Sequence, residues 1–197
     1  IFQQGSRRNR KNTVITMAQL KDVSLKGKKV LMRVDFNVPL DKGFRITDDN
    51  RMRAALPTIR KVLGDGGKLI LMSHLGRPKN GPEQRFSLIH LKEHLSDLTA
   101  AKVYFADDCI GQRAADKSGE LNEGEILLLE NVRFYQEETK GDEAFAEHLS
   151  ELGDVYINDA FGTAHRAHAS TTVVAKYFNS DERFFGFLMD REVQNAR

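Results

Sequence analysis

From residue 27 onward, short apolar runs alternate with amphipathic stretches. Residues 29–37 (KVLMRVDFN) have the Val, Leu and Phe content of a strand. Met52, Ala55, Leu56, Ile59 and Val62 then recur at helical spacing behind Asp48-Asp49-Asn50, which offers N-caps. Pro57 falls inside that stretch and predicts a kink or an early break, because proline lacks the amide donor and crowds the preceding turn. Gly64, Gly66 and Gly67 end the helix, and 68–73 (KLILMS) reads as a buried strand. A helix capped by Ser87 follows, with Leu88, Leu91, Leu95 and Leu98 on one face, then a short strand over 103–105. The pattern continues with a helix around 110–115, a strand over 126–130, a helix over 142–152 and a strand over 155–158. It closes with a helix from Ser170 to about Phe178 and a last strand over 184–188.

None of these six strands is joined to the next by a tight hairpin. Strand and helix in alternation imply right-handed βαβ units. The expected class is therefore α/β: a doubly wound, mostly parallel six-stranded sheet with helices on both faces, Rossmann-like in outline. The sequence shows neither an internal repeat nor a low-complexity segment.

Charge changes the picture only at the amino terminus. The net charge is +2, but Arg7, Arg8, Arg10 and Lys11 all fall within residues 1–16, which contain no acid. Setting those four aside leaves 26 bases against 28 acids, a net of −2 over the other 181 residues. Residues 1–16 therefore read as a basic arm, an expression scar or an upstream extension, with Met17 as a natural-looking start. Four charges on an acidic body are a weak footprint for nucleic acid, so no nucleic-acid partner is expected. No apolar run approaches the roughly 20 residues of a membrane span, which predicts a soluble protein with no membrane partner. One cysteine, Cys109, excludes an internal disulfide framework and a thiol cluster for zinc.

Ligands of open α/β sheets bind beyond the carboxyl ends of the strands. In the first strand, Val30, Met32, Val34, Phe36 and Val38 share an apolar face, while Leu31, Arg33, Asp35 and Asn37 share the other. A charged row is unusual in a parallel sheet. It is read as a site, against an edge strand with a solvated face or a buried Arg33–Asp35 pair that only fixes local structure. After the second strand comes Ser73-His74-Leu75-Gly76-Arg77-Pro78, which could equally be a turn with one exposed arginine. After the fourth comes Glu130-Asn131-Val132-Arg133-Phe134, and after the fifth Asn158-Asp159-Ala160-Phe161-Gly162-Thr163-Ala164-His165-Arg166-Ala167-His168. The H-x-x-H pair has no accompanying ligand set, so no metal is expected. Arg51, taken alone, is an ordinary surface arginine in the first turn of a helix. Taken together, Arg33, Arg51, Arg77, Arg133 and Arg166 all fall at or near the carboxyl ends of strands. Guanidinium groups suit carboxylate and phosphate, and such a concentration calls for a small ligand with several negative charges.

These four motifs, in this order, resemble the amino-terminal half of phosphoglycerate kinase, and Gly186-Phe187-Leu188-Met189 with Glu192 resembles the end of that domain. The resemblance covers residues 23–192. It implies reversible phosphoryl transfer between ATP and the carboxylate of 3-phosphoglycerate, that is, 1,3-bisphosphoglycerate + ADP ⇌ 3-phosphoglycerate + ATP, in glycolysis. It further implies that Asp35 and Asn37 hold the 2-hydroxyl and its surroundings, with His74 nearby, and that Arg77, Arg133 and Arg166 grip the substrate phosphate. Arg51 would face the reacting carboxylate as the catalytic residue. Arg33 would order Asp35, and His165 and His168 would back the basic patch. The expected layout is a 3-phosphoglycerate-binding domain over 17–188, with 189–197 opening an interdomain helix. The family's second domain, which binds Mg-ATP or Mg-ADP through glycine-rich loops, is expected to be absent from this chain, leaving the isolated chain inactive. A cytoplasmic monomer is the family expectation. The alternative is a non-catalytic binding module for a small phosphorylated carboxylic acid.

Overall fold

Apolar side chains on both faces of the central strands bury the sheet between two helical layers. The structure is a computed structural model and describes residues 18–197; the basic arm expected at 1–16 and the start at Met17 lie outside the described residues. Its strands are β1 (Lys29–Arg33), β2 (Lys68–Met72), β3 (Val103–Ala106), β4 (Ile126–Leu129), β5 (Val155–Asn158) and β6 (Arg183–Phe185). All pair in parallel, in the order β3-β4-β2-β1-β5-β6. The helices are α1 (Asn50–Gly64), α2 (Lys92–Thr99), α3 (Gln112–Glu120), α4 (Gln136–Lys140), α5 (Glu143–Ser150) and α6 (Phe187–Asn195).

Alternation along each strand divides the core in two. Val30, Met32, Leu69, Leu71 and Ile157 pack with Met52 and Ile59 of α1 and Leu95 of α2. Leu31, Ile70, Leu127 and Tyr156 pack on the opposite face with Ala114 of α3 and Phe145 and Leu149 of α5. The chain therefore leaves β1 and β2 toward one face, and leaves β4 and β5 toward the other. Such a reversal opens a crevice at the carboxyl ends. Register makes those ends level: Arg33 pairs with Met72 and with Asn158, and Leu71 with Leu128. Four loops thus begin at one height.

The boundaries depart from expectation where tertiary contacts outweigh local signals. β1 stops pairing at Arg33, so Asp35 and Asn37 sit in the following loop, although Val34, Phe36 and Val38 still point into the first core. β1 is central, which removes the edge-strand reading. α1 runs through Pro57 without a break. Pro57 and Arg53, whose carbonyl loses its partner, both face solvent, so water can take the free oxygen. Asp49 precedes α1 but does not cap it; its carboxylate takes Arg53 at 3.0 Å and His94 at 2.8 Å. Ser87 caps as expected, accepting from the Ile89 amide at 3.2 Å, but opens a short 3-10 turn (Leu88–Leu91) ahead of α2. The helix expected from Ser170 is a π turn (Ala169–Val173) followed by a 3-10 turn (Val174–Tyr177). Phe187 and Leu188 belong to α6 rather than to the last strand.

Candidate functional site

The β1 loop supplies the acceptor side of the cleft. Asp35 Oδ1 accepts from the Asn37 amide at 3.1 Å, which closes a tight turn just after the strand. Arg51, in the first turn of α1, brings Nη1 to 3.1 and 3.0 Å from the two Asp35 oxygens. Gly162 packs so closely over this pair that a Cβ there would lie 2.7 Å from Asp35 Oδ2. A cavity of about 310 Å³ opens beside them, bounded by Asp35, Arg51, Asp159, Gly162, Leu188 and Glu192.

Asn37 is oriented by the second loop. Its Oδ1 accepts from the Gly76 amide at 2.8 Å, which leaves the Nδ2 protons free to donate. Gly76 has φ +62°, and a side chain there would collide with the Phe86 ring. Its carbonyl accepts from Arg133 Nη1 at 3.2 Å. Asn131 fixes the arrangement from below, donating Nδ2 to the carbonyls of Leu75 (2.8 Å) and Phe86 (2.9 Å).

Cations gather around Arg133, His168 and His74. Burial, then the charge of Arg33, and beyond it those of Arg166 and Arg77, push the Arg133 guanidinium below its usual range. His168 is lowered by burial and by Arg133, Arg33 and Arg166. His74, almost fully buried, is pushed down to about 2 by burial, with Arg33, Arg133, Arg51 and His168 adding repulsion. It is neutral at any ordinary pH. Arg77 and Arg166 lie exposed at the rim. His165 is also exposed and sets its ring edge-on to Phe161, 6.0 Å away. Among the described residues no group of three His, Cys, Asp or Glu side chains could hold a metal ion.

One detail differs from expectation. Arg33 does not order Asp35: fully buried, it donates Nε to Ser170 Oγ at 2.7 Å, Nη1 to the Val34 carbonyl and Nη2 to His74 Nδ1 at 3.0 Å. Asp35 is held by Arg51 instead. The β1–β2 link runs through Ser73, whose Oγ accepts from the Phe36 amide at 2.9 Å.

A family model described as phosphoglycerate kinase matches residues 20–197. The chain belongs to the phosphoglycerate kinase family. It is 51% identical to a phosphoglycerate kinase of Porphyromonas gingivalis, with 85% of this chain and 46% of that protein covered. It is likewise 51% identical to one from Chlorobium limicola, over 88% of this chain and 43% of the relative. The phosphoglycerate kinase structure from Coxiella burnetii superposes with a TM-score of 0.79 at 34% identity, covering 92% of this chain and 44% of that one. The chain thus spans a little under half the length of the curated relatives it matches.

Within this phosphoglycerate kinase fold, the sequence motifs led to most of the cleft but not to Glu138 and Ser170. Glu138 accepts from the Ser170 Oγ at 2.5 Å and from the Ser170 amide at 3.0 Å. Glu138 sits in a polar stretch, Gln136 to Asp142, that reads as solvated. Its one local signal is the apolar core facing of Tyr135 and Phe145 on either side.

Proposed function

We propose that this chain supplies the 3-phosphoglycerate half-site of a phosphoglycerate kinase, the enzyme that moves a phosphoryl group reversibly between ATP and the carboxylate of 3-phosphoglycerate. The reading rests on one observation above all. Guanidinium groups from the β1, β2 and β5 ends (Arg33, Arg77 and Arg166) come close enough to Arg133, after β4, to add to the effect of burial in pushing its guanidinium below the usual range. A bound anion relieves the repulsion within such a cluster, and a phosphorylated carboxylic acid supplies negative charge at both ends.

Each side chain then has a chemical task. Asp35 accepts from the 2-hydroxyl. Asn37, its oxygen held by Gly76, donates to a neighbouring ligand oxygen. Neutral His74 can donate without adding charge. Arg77, Arg133 and Arg166 take the phosphate, and Arg51 faces the carboxylate and the phosphoryl group in transit. The attacking carboxylate is already ionised at neutral pH, so no general base is required. What the protein contributes is alignment and charge stabilisation. Among the described residues no group of three His, Cys, Asp or Glu side chains could hold magnesium. Mg-ATP or Mg-ADP would be bound by a second domain, with α6 as the start of the interdomain connection and 17–188 as the substrate domain. A cytoplasmic, monomeric enzyme fits this role. Among the described residues no helix is long and apolar enough to cross a membrane.

Calorimetry of the purified chain tests the proposal. Saturable binding of 3-phosphoglycerate that weakens with added salt is expected, with ATP bound no better than any polyanion. Magnesium-dependent ATP binding tighter than 3-phosphoglycerate would refute it.

A further inference from the structure

Glu138 has no exposed surface, although Glu137 and Thr139 on either side are exposed. A carboxylate is almost never buried unless it is paired. Its partner is one residue: both Glu138 oxygens are taken by Ser170, through the hydroxyl and the amide. The Ser170 hydroxyl has one proton, and a carboxylate can only accept it. Ser170 Oγ therefore receives the Arg33 Nε proton at 2.7 Å, and the direction of the chain Arg33 to Ser170 to Glu138 is fixed. Glu138 is also the strongest charge favouring the cationic form of Arg33. A buried guanidinium without a counter-charge would be strongly unfavourable.

The far end of Arg33 gives the chain its consequence. Guanidinium nitrogens carry donors and no acceptor, so His74 Nδ1, 3.0 Å from Nη2, must be the unprotonated nitrogen. The ring's single proton then sits on Nε2. The partnerless side-chain atoms sealed from solvent among the described residues are Arg133 Nε, Asp159 Oδ2 and His168 Nδ1; His74 Nε2, which has no hydrogen-bond partner among the described residues, is not one of them and so keeps some access to solvent.

We infer that Glu138, with Ser170 as relay, is a positioning residue that holds Arg33 so that His74 presents a single tautomer, Nε2–H outward, to the ligand. The inference concerns the same cleft as the proposed function and rests on it only for the identity of the ligand.

Nitrogen NMR of the full-length protein with ¹⁵N-labelled histidine reads the tautomer directly, without ligand. His74 should show a bare Nδ1 and a protonated Nε2. In Ser170→Ala, which removes one oxygen, the single-tautomer signature should be lost and a second tautomer should appear. 3-Phosphoglycerate affinity should fall about tenfold, the scale of one charge-assisted hydrogen bond. Glu138→Gln should act in the same direction; if it does not fold, Ser170→Ala decides. A protonated Nδ1 in the unaltered protein overturns the inference, as does a folded Ser170→Ala with unchanged His74 shifts. The tautomer result holds even if 3-phosphoglycerate fails to bind, so the two readings can fail separately.

Discussion

Arg51 and Asp35 form an ion pair of 3.0 Å at the mouth of the cleft, joining the first turn of α1 to the loop after β1. The Arg51 side chain keeps 54% of its surface exposed, against 14% for Asp35. An exposed pair of this kind contributes about 0–1 kcal/mol to stability. Its meaning lies in position: it aims an exposed cation and a largely buried acceptor at one small volume, and a bound anion can draw Arg51 away at little energetic cost.

In the complete enzyme, Arg51→Ala should therefore lower kcat far more than it weakens 3-phosphoglycerate binding. A charge that acts on the phosphoryl group in transit is worth on the order of 10² to 10³ in rate. Arg166→Ala should do the reverse, because a contact to the substrate phosphate is equal in ground and transition states. Steady-state kinetics of both variants separate these roles. Near-normal kcat in Arg51→Ala would return it to being a solvated surface arginine.

Gly162→Ala places a methyl 2.7 Å from Asp35 Oδ2. The residue is exposed, so the fold should tolerate the change while Asp35 is displaced from the 2-hydroxyl position. The expected outcome is roughly a tenfold rise in the 3-phosphoglycerate dissociation constant, equivalent to ~1.4 kcal/mol, with a thermal midpoint within a few degrees of the parent. Unchanged affinity would remove Asp35 from the binding set.

His74 makes stability depend on pH. Its folded value is about 2, below the unfolded value near 6.5. Above pH 6.5 both states are neutral at this ring. Below it, the unfolded chain takes up a proton that the folded one refuses, so stability falls as pH falls, by ~1.4 kcal/mol per unit. Urea unfolding of the parent and of His74→Gln at pH 7 and pH 5 should show the parent losing about 2 kcal/mol more than the variant. A constant difference between the two would contradict a buried neutral histidine.

Gly186→Ala tests the connection from the site to α6. Asp159, directly after β5, accepts from the amides of Leu188 (3.0 Å) and Met189 (3.2 Å), and so holds the start of that helix. A Cβ at Gly186 would overlap the Asp159 side chain, with Oδ1 only 2.2 Å away. Overpacking of this kind costs about 1–3 kcal/mol. A denaturation midpoint matching the parent would mean that α6 shifts freely.

Alternating apolar runs were enough to specify an α/β chain with six strands, because both faces of a parallel strand must be covered and only a crossover helix covers them. The loop motifs were equally legible, since Arg33, Arg77, Arg133 and Arg166 are fixed in chain order at strand ends. Local reading failed where a residue's partner is distant in sequence. Pro57 was expected to kink or break α1, but the helix continues past it, with Met52, Ile59 and Val62 of its apolar stripe buried on the sheet. Phe187 and Leu188 look like strand residues, yet Asp159, 29 residues before Leu188, draws that backbone into α6. The partner of Arg33 was missed for the same reason: Ser170 lies 137 residues away, and Glu138 beyond it is hidden in a polar run. A buried cation needs an anion close in space, and chain order does not say which one the folded sheet will bring there.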